Sequence, residues 1–384
     1  MRKIRFLFVV VCAVFLLSGC WDRTEVNDLA FVVATGVDKG KNRQYRFSVQ
    51  IPLPSSLGGA GSSGGGGGTS GEGPFLVAQG TGGNLRQGIE DIQTRLSRKL
   101  YFSHRRVMIV GEDLAKVGIM ETLNSVFIQP QSRLSTILVI SKGDAVNMLQ
   151  AQPRMEQFSG EAIREMAKAG INMTVMDAIQ NIDRQGIDTI VPFIENTGTI
   201  KKEKDGKEIN MSSFAVFKDD KLSFTTNKNE SQGILWLLEK MKKKSFSFPV
   251  SKNKELTLQI INHQVHPNVN IVNGKPEFNL SIRATGTLLE NEPNLRIEDP
   301  KTYHWVIGQM EKKIKSDIQT ILKHSHSLGV DIFGFGWNLY KTHNQDWEDK
   351  WKKDWANTLP SLKVRINVDA DIQRATNSGK IEKE

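Results

Sequence analysis

Cysteine is nearly absent from this chain. Its 384 residues hold two, Cys12 and Cys20, both close to the N-terminus. The body that follows has no thiol for a disulfide, a thiolate nucleophile or a cysteine metal site, so packing alone must hold it. A long apolar run is missing too. The longest, Phe6 to Leu17, has 12 residues, whereas a helix needs about 20 to cross a bilayer. Signatures of catalysis are also lacking. No Gly-x-Ser-x-Gly elbow occurs, and Phe158-Ser-Gly-Glu161 has neither the preceding glycine nor a strand before it. Gly80-Thr-Gly-Gly83 is only a glycine-bearing turn, and there is no Gly-x-x-x-x-Gly-Lys-Ser/Thr loop to cradle phosphates. His263 and His266 are three apart on a strand-like segment, which puts them on opposite faces. His324 and His326 end a helix, where a spacing of two serves no common face. None has zinc-type spacing, so they are expected as surface or capping residues, with no metal and no cofactor. Charge of one sign is not strongly in excess. The net +9 falls to +6 when Arg2, Lys3 and Arg5 are removed, which gives no argument for nucleic acid. The clusters Lys240 to Lys244 and Lys201 to Lys207 are expected as solvated surface, with an anionic membrane or acidic partner as the alternative.

What the N-terminus does contain is ordered. Arg2, Lys3 and Arg5 precede the apolar run, and Ser18 and Gly19 lead to Cys20. A positive region, a short apolar core and small residues make a signal peptide. Leu17-Ser18-Gly19-Cys20 resembles a bacterial lipobox. That resemblance implies cleavage between Gly19 and Cys20 and a lipid on the Cys20 thiol, carrying fatty acyl chains such as palmitate. Two acyl chains hold a protein on a bilayer, each buried CH₂ contributing about 0.8 kcal/mol. The expectation is a body anchored on the outer face of the cytoplasmic membrane.

The 365 residues from Cys20 onward suffice for two or three domains. Leu29 to Val37 and Gln44 to Pro52 read as a strand pair. Residues 58–73 hold 10 glycines in 16, expected as a flexible surface loop. Strands at Phe75 to Gln79, Arg106 to Val110 and Leu134 to Ile140 alternate with helices at Leu85 to Ser97, Glu112 to Phe127 (broken near Gly118) and after Asp144, a good N-cap. This predicts an α/β layer domain over 20–150. A smaller α+β domain is expected over 151–250, with helices at Glu156 to Lys168, Val175 to Asp183 and Gly233 to Met241. An extended Thr189 to Ile194 and a hairpin around Lys218 to Lys221 complete it. Over 251–384 a third domain is expected: a long hairpin turning at Asn273-Gly274, a helix from Lys301 to Leu328, and a closing strand from Leu362 to Ile372. Trp347, Trp351 and Trp355 recur every fourth residue, which lines one face of a helix. They are expected in the core, with a partner surface as the alternative. Asp331-Ile-Phe-Gly-Phe-Gly336 sets two glycines between aromatics, which suits a turn of special backbone conformation.

Three strings together resemble the Ger(x)C family, the lipoprotein C subunits of spore nutrient germinant receptors. Cys20-Trp21-Asp22-Arg-Thr-Glu25-Val-Asn-Asp28 is similar to the family's start after the lipobox. His104-Arg105-Arg106-Val-Met-Ile-Val-Gly-Glu-Asp-Leu-Ala115 is similar to its central strand and helix. Asp331 to Gly336, with the tryptophan-rich segment and last strand, is similar to its C-terminal signature. Family motif residues are thus Trp21, Asp22, Glu25, Asp331, Gly334 and Gly336. Ser103 stands where the family often has glycine. Ile128-Gln-Pro-Gln-Ser-Arg133 replaces a usual Arg-Asp-Pro-Glu-x-Arg string, and the Gly/Ser insert is unusual.

The resemblance implies a three-domain α+β fold, the spore inner membrane as location, and no enzymatic role. It implies A-type and B-type membrane subunits as partners, and a response to nutrients such as amino acids or sugars. The alternative is a substrate-binding lipoprotein of a membrane transporter, which needs two similar lobes around a cleft. No repeated pair of doubly wound halves is visible. A lipid-anchored hydrolase of cell-wall polymers has no motif to support it.

Overall fold

The computed structural model describes residues 2–4, 25–42, 44–53, 74–129, 131–153, 155–198 and 207–373. Gly19, Cys20, Trp21 and Asp22 lie outside the described residues, and so do the Gly/Ser segment 58–73 and positions 201–206 of the second basic cluster.

The most apolar short runs become the centre of a large sheet. β6 (Val107–Gly111) and β7 (Ile137–Ser141) are buried at every residue and pair in parallel. Parallel strands need both faces covered, which continuous runs of Val, Ile and Leu permit. β2 (Ala34–Lys39) joins β6 in parallel. β3 (Tyr45–Pro52) and β4 (Phe75–Gly82) extend that edge antiparallel. On the other side β8 (Ile190–Gly198) pairs with β7 in parallel, followed antiparallel by β9 (Lys207–Lys218) and β10 (Lys221–Thr225). The eight strands run β10-β9-β8-β7-β6-β2-β3-β4. Here the structure differs from the expected division. Position 150 lies between β7 and β8, which are neighbours in one sheet, and the strands assigned to a separate middle unit extend the N-terminal sheet. Strand-to-strand pairing across 50 residues leaves no local sequence signal.

The expected strand Leu29 to Val37 is two strands. β1 (Leu29–Phe31) pairs in parallel with β5 (Lys99–Tyr101) in a separate ribbon, and β2 enters the large sheet. Alternation along β6 and β7 feeds two faces. Val107, Ile109, Ile137 and Val139 pack beneath α4 (Ala145–Leu149) and α5 (Ser159–Ala169). Met108, Val110, Leu138 and Ile140 join the main core, on the side of α1 (Leu85–Gln93), α2 (Glu112–Ala115), α3 (Met120–Phe127) and α6 (Val175–Asp183). The expected break between α2 and α3 is present, with Gly118 at φ +141°. Asp144 precedes α4 as expected, but its side chain does not cap it. Asp38 does: its carboxylate accepts the Ala145 N–H at 2.6 Å and the Val146 N–H at 3.3 Å. Asp144 instead pairs with Arg46 at 2.6 Å. Burial pushes the Asp38 carboxyl up to about 6.

α7 (Lys228–Leu237) leads into a second sheet, ordered β11 (Ser245–Ser251), β12 (Lys254–Val272), β13 (Lys275–Asn291) and β14 (Lys363–Gln373). The expected boundary at 250 thus falls within β11. Asn273 and Gly274 turn the long hairpin with φ of +51° and +74°, the geometry of a tight primed turn. β14 returns parallel to β13. α8 (Pro300–Ser327) lies on this sheet, with Val306, Met310, Ile314, Ile318 and Ile321 buried along one stripe. The main hydrophobic core runs through both sheets, and α4 and α5 pack a second, smaller one on the other face of the large sheet. The molecule is an α+β fold.

Candidate functional site

The Asp331-Ile-Phe-Gly-Phe-Gly336 string lies where the two sheets meet. α8 ends at Ser327, and Val330 N–H donates back to the Ser325 carbonyl at 2.9 Å. The chain then turns inward and buries Asp331, which is 1% exposed. A helix N-terminus needs acceptors for its first N–H groups. α9 (Phe335–Thr342) begins at Gly334, which has no side chain to supply one. Asp331 supplies both oxygens. Oδ1 accepts from Gly334 N at 2.8 Å and Phe335 N at 2.9 Å. Oδ2 accepts from Gly336 N at 2.8 Å and from the Trp355 indole Nε1 at 2.9 Å. A carboxylate at a helix start also meets the positive end of the helix dipole. Burial pushes this carboxyl up to about 6, against the four donors, which hold it down.

The backbone of Asp331 ties the string to the N-terminal half. Its N–H donates to Asp188 Oδ2 at 2.7 Å, and its carbonyl accepts from Asp188 N at 2.8 Å. Asp188 Oδ1 also accepts from Asp219 N in the β9–β10 turn, at 3.1 Å. Burial raises the Asp188 carboxyl above its ordinary range. Lys218 Nζ donates to the Leu328 carbonyl at 3.0 Å. Two glycines meet at this joint. A Cβ on Gly336 would lie 2.6 Å from Gly186 Cα, 2.6 Å from the Trp347 ring and 2.8 Å from Trp355 Nε1. Gly334 takes φ +79°, where a side chain is strained. Trp337 N–H donates to the Gly186 carbonyl at 2.8 Å, and the Arg184 guanidinium lies 5.2 Å over the Trp337 ring.

The tryptophans pack this joint. Trp347, Trp351 and Trp355 are 0%, 6% and 7% exposed, so the partner-surface alternative does not hold for them. They do not lie on one regular helix. Residues Trp347–Trp351 form a π turn and Lys352–Asp354 a 3₁₀ turn, which bring Trp347 and Trp355 edge to face at 5.3 Å.

All the acceptor positions of Asp331 face donors of the chain itself, inside a closed core. The carboxylate fixes the C-terminal string, the Asp331 backbone ties that string to Asp188 in the N-terminal half, and no acceptor is left for a substrate. Of the N-terminal motif only Glu25 is described. It is exposed and precedes a 3₁₀ turn, its N–H donating to Asp28 Oδ2 at 3.3 Å. The structure therefore brings Asp331, Gly334 and Gly336 together and places Glu25 elsewhere. Gly186 and Asp188 escaped the sequence reading as members of this site. Their only local signal was a glycine and an aspartate in a helix-to-strand connection.

Two histidines also differ from expectation. His263 and His326 are buried, at 7% and 6% exposure. Burial holds both rings well down, at about 4. His324 pairs with Glu230 at 2.7 Å, and His266 is exposed. Among the described residues no group of three or more His, Cys, Asp or Glu is placed to hold a metal.

Comparison with known proteins decides the family. Residues 22–196 match the model described as spore germination protein N-terminal domain, and residues 212–376 match spore germination B3/GerAC like, C-terminal. The chain belongs to the Ger(x)C family. It is 31% identical to YfkR of Bacillus subtilis (strain 168) over 363 residues, covering 93% of this chain and 92% of that one. It is 24% identical to spore germination protein KC of the same organism, over 97% and 96% of the two chains. The crystal structure of the GerBC protein aligns with a TM-score of 0.57 at 18% identity, covering 88% of this chain and 96% of GerBC, which shows a shared fold. Ger(x)C proteins are germinant-receptor subunits of a non-enzymatic family.

Proposed function

We propose that this chain is the lipid-anchored C subunit of a spore nutrient germinant receptor. It is held through Cys20 on the outer face of the cytoplasmic membrane, which becomes the spore inner membrane. There it assembles with A-type and B-type membrane subunits, and the spore needs it to respond to small nutrients. The observation that carries this reading is the pair of family matches spanning 22–196 and 212–376. The Leu-Ser-Gly-Cys20 string supports the anchor. No helix among the described residues is long and apolar enough to cross a membrane.

The test is recovery of the tagged full chain from spore inner membranes in mild detergent. A receptor subunit brings its A-type and B-type partners with it. Recovery of the membrane-attached chain without either of them would contradict the reading.

A further inference from the structure

A cavity of about 560 Å³ opens between α1 and the segment after α3. Its wall is largely apolar, with Phe47, Leu85, Leu100, Phe102 and Val126 all buried. Three cations line it, and two of them, Arg86 and Lys99, are exposed at its rim, while Arg105 stands in the buried wall. Arg105 is 2% exposed. Its Nη2 donates to Ser132 Oγ at 3.2 Å, and Ser132 Oγ donates to Gln129 Oε1 at 3.1 Å. The buried Nε has no hydrogen-bond partner. Nor does any carboxylate among the described residues pair with this guanidinium, whose only perturbation is burial, holding it down to about 10. Glu90, on the same cavity, is engaged with Arg86 at 3.5 Å. The next residue behaves in the ordinary way: Arg106 pairs with Glu161 at 3.1 Å.

Arg105 is held at its backbone. Its N–H donates to the Phe102 carbonyl at 2.9 Å, and its own carbonyl accepts from Thr136 Oγ1 at 3.2 Å. A buried charge without a partner is costly and is retained where an anion compensates it. A guanidinium edge matches a carboxylate in two parallel hydrogen bonds, and mainly apolar walls with a few placed polar groups are the usual make-up of a small-ligand site.

We propose that this cavity binds a small organic carboxylate, its oxygens on the Arg105 guanidinium and its hydrocarbon body against the Phe47, Leu85, Leu100, Phe102 and Val126 wall. A free metabolic acid and a fatty acid shed by the membrane share this chemistry.

Calorimetric titration of the purified full chain in non-ionic detergent tests it, with 3-phenylpropanoate standing for the first source and hexanoate for the second. The neutral 3-phenylpropanol and inorganic phosphate serve as controls. At least one acid binds, and the alcohol and phosphate bind at least tenfold more weakly. The tighter acid identifies the source. Arg105→Met weakens the acid at least tenfold. Gln129→Glu does the same by supplying a counter-charge one hydroxyl away from the guanidinium, and it keeps the fold should Arg105→Met lose it. Binding of neither acid, equal binding of the alcohol or of phosphate, or wild-type affinity in Gln129→Glu overturns the proposal. The titration reads the isolated protein, so its failure leaves the receptor assignment standing.

Discussion

At the scale of single residues, Asp331 carries the most. Its carboxylate holds three backbone N–H groups and one indole N–H. Asp331→Ala leaves all of them buried without an acceptor, at about 1–3 kcal/mol each. We expect a loss of at least about 4 kcal/mol in urea unfolding, far above the cost of an exposed cap. Gly336→Ala drives a methyl into Gly186 and two indoles and should cost about 3 kcal/mol. A loss under about 1 kcal/mol in either variant would show that the joint is not tight. His326 gives a pH signature. Its ring is held down at about 4 in the fold and titrates near 6.5 in an unfolded chain. Above pH 6.5 both states are neutral. Between 6.5 and about 4 the unfolded chain alone takes up the proton, so stability is lost as pH falls. Relative to His326→Leu, the native protein should lose about 3 kcal/mol from pH 7 to pH 4. Asp38 and Asp331, both raised to about 6, act with the opposite sign and cancel in this comparison. Parallel stability curves for the two proteins would refute the assignment.

At the scale of elements, α4 depends on a residue far away in sequence. Asp38 caps it from β2, 107 residues before Ala145. Asp38→Ala should cost about 1–2 kcal/mol and speed hydrogen exchange at the Ala145 and Val146 amides, whereas Asp144→Ala should leave those two amides protected. Equal exposure in both variants would point to Asp144 as the cap. This pair shows what the sequence could and could not tell. Asp144 was legible as a cap because caps are read locally, and its carboxylate went to Arg46 instead. The Asn273-Gly274 turn, α6 and the β9–β10 hairpin were legible for the same local reason. The partnership of β7 with β8, the capping by Asp38 and the meeting of Gly186 with Gly336 were not, since each joins distant segments through packing. In the joint itself, Asp331, Gly334 and Gly336 stood out as a string. Asp188, 143 residues away, had nothing to mark it. The tryptophan spacing was legible as core, but the π turn that aligns the rings follows from packing around Asp331.

For the whole molecule, one continuous core joins both sheets, so the halves should open together. Six of the seven tryptophans lie at or after position 236, and their fluorescence reports the C-terminal half. Hydrogen exchange of β6 and β7 reports the N-terminal half. The two should give the same denaturant midpoint, and Asp331→Ala should lower both. A tryptophan transition that precedes the loss of β6 and β7 protection would mean that the joint is a hinge between independent units.

The central claim concerns attachment and assembly, and Cys20→Ala tests it most directly. Spores carrying this variant are assayed for the location of the protein and for germination with nutrients and with a receptor-independent trigger. The account predicts that the protein leaves the inner membrane, nutrient germination fails, and the independent trigger still works. Normal nutrient germination by spores whose protein has fully left the membrane would contradict it.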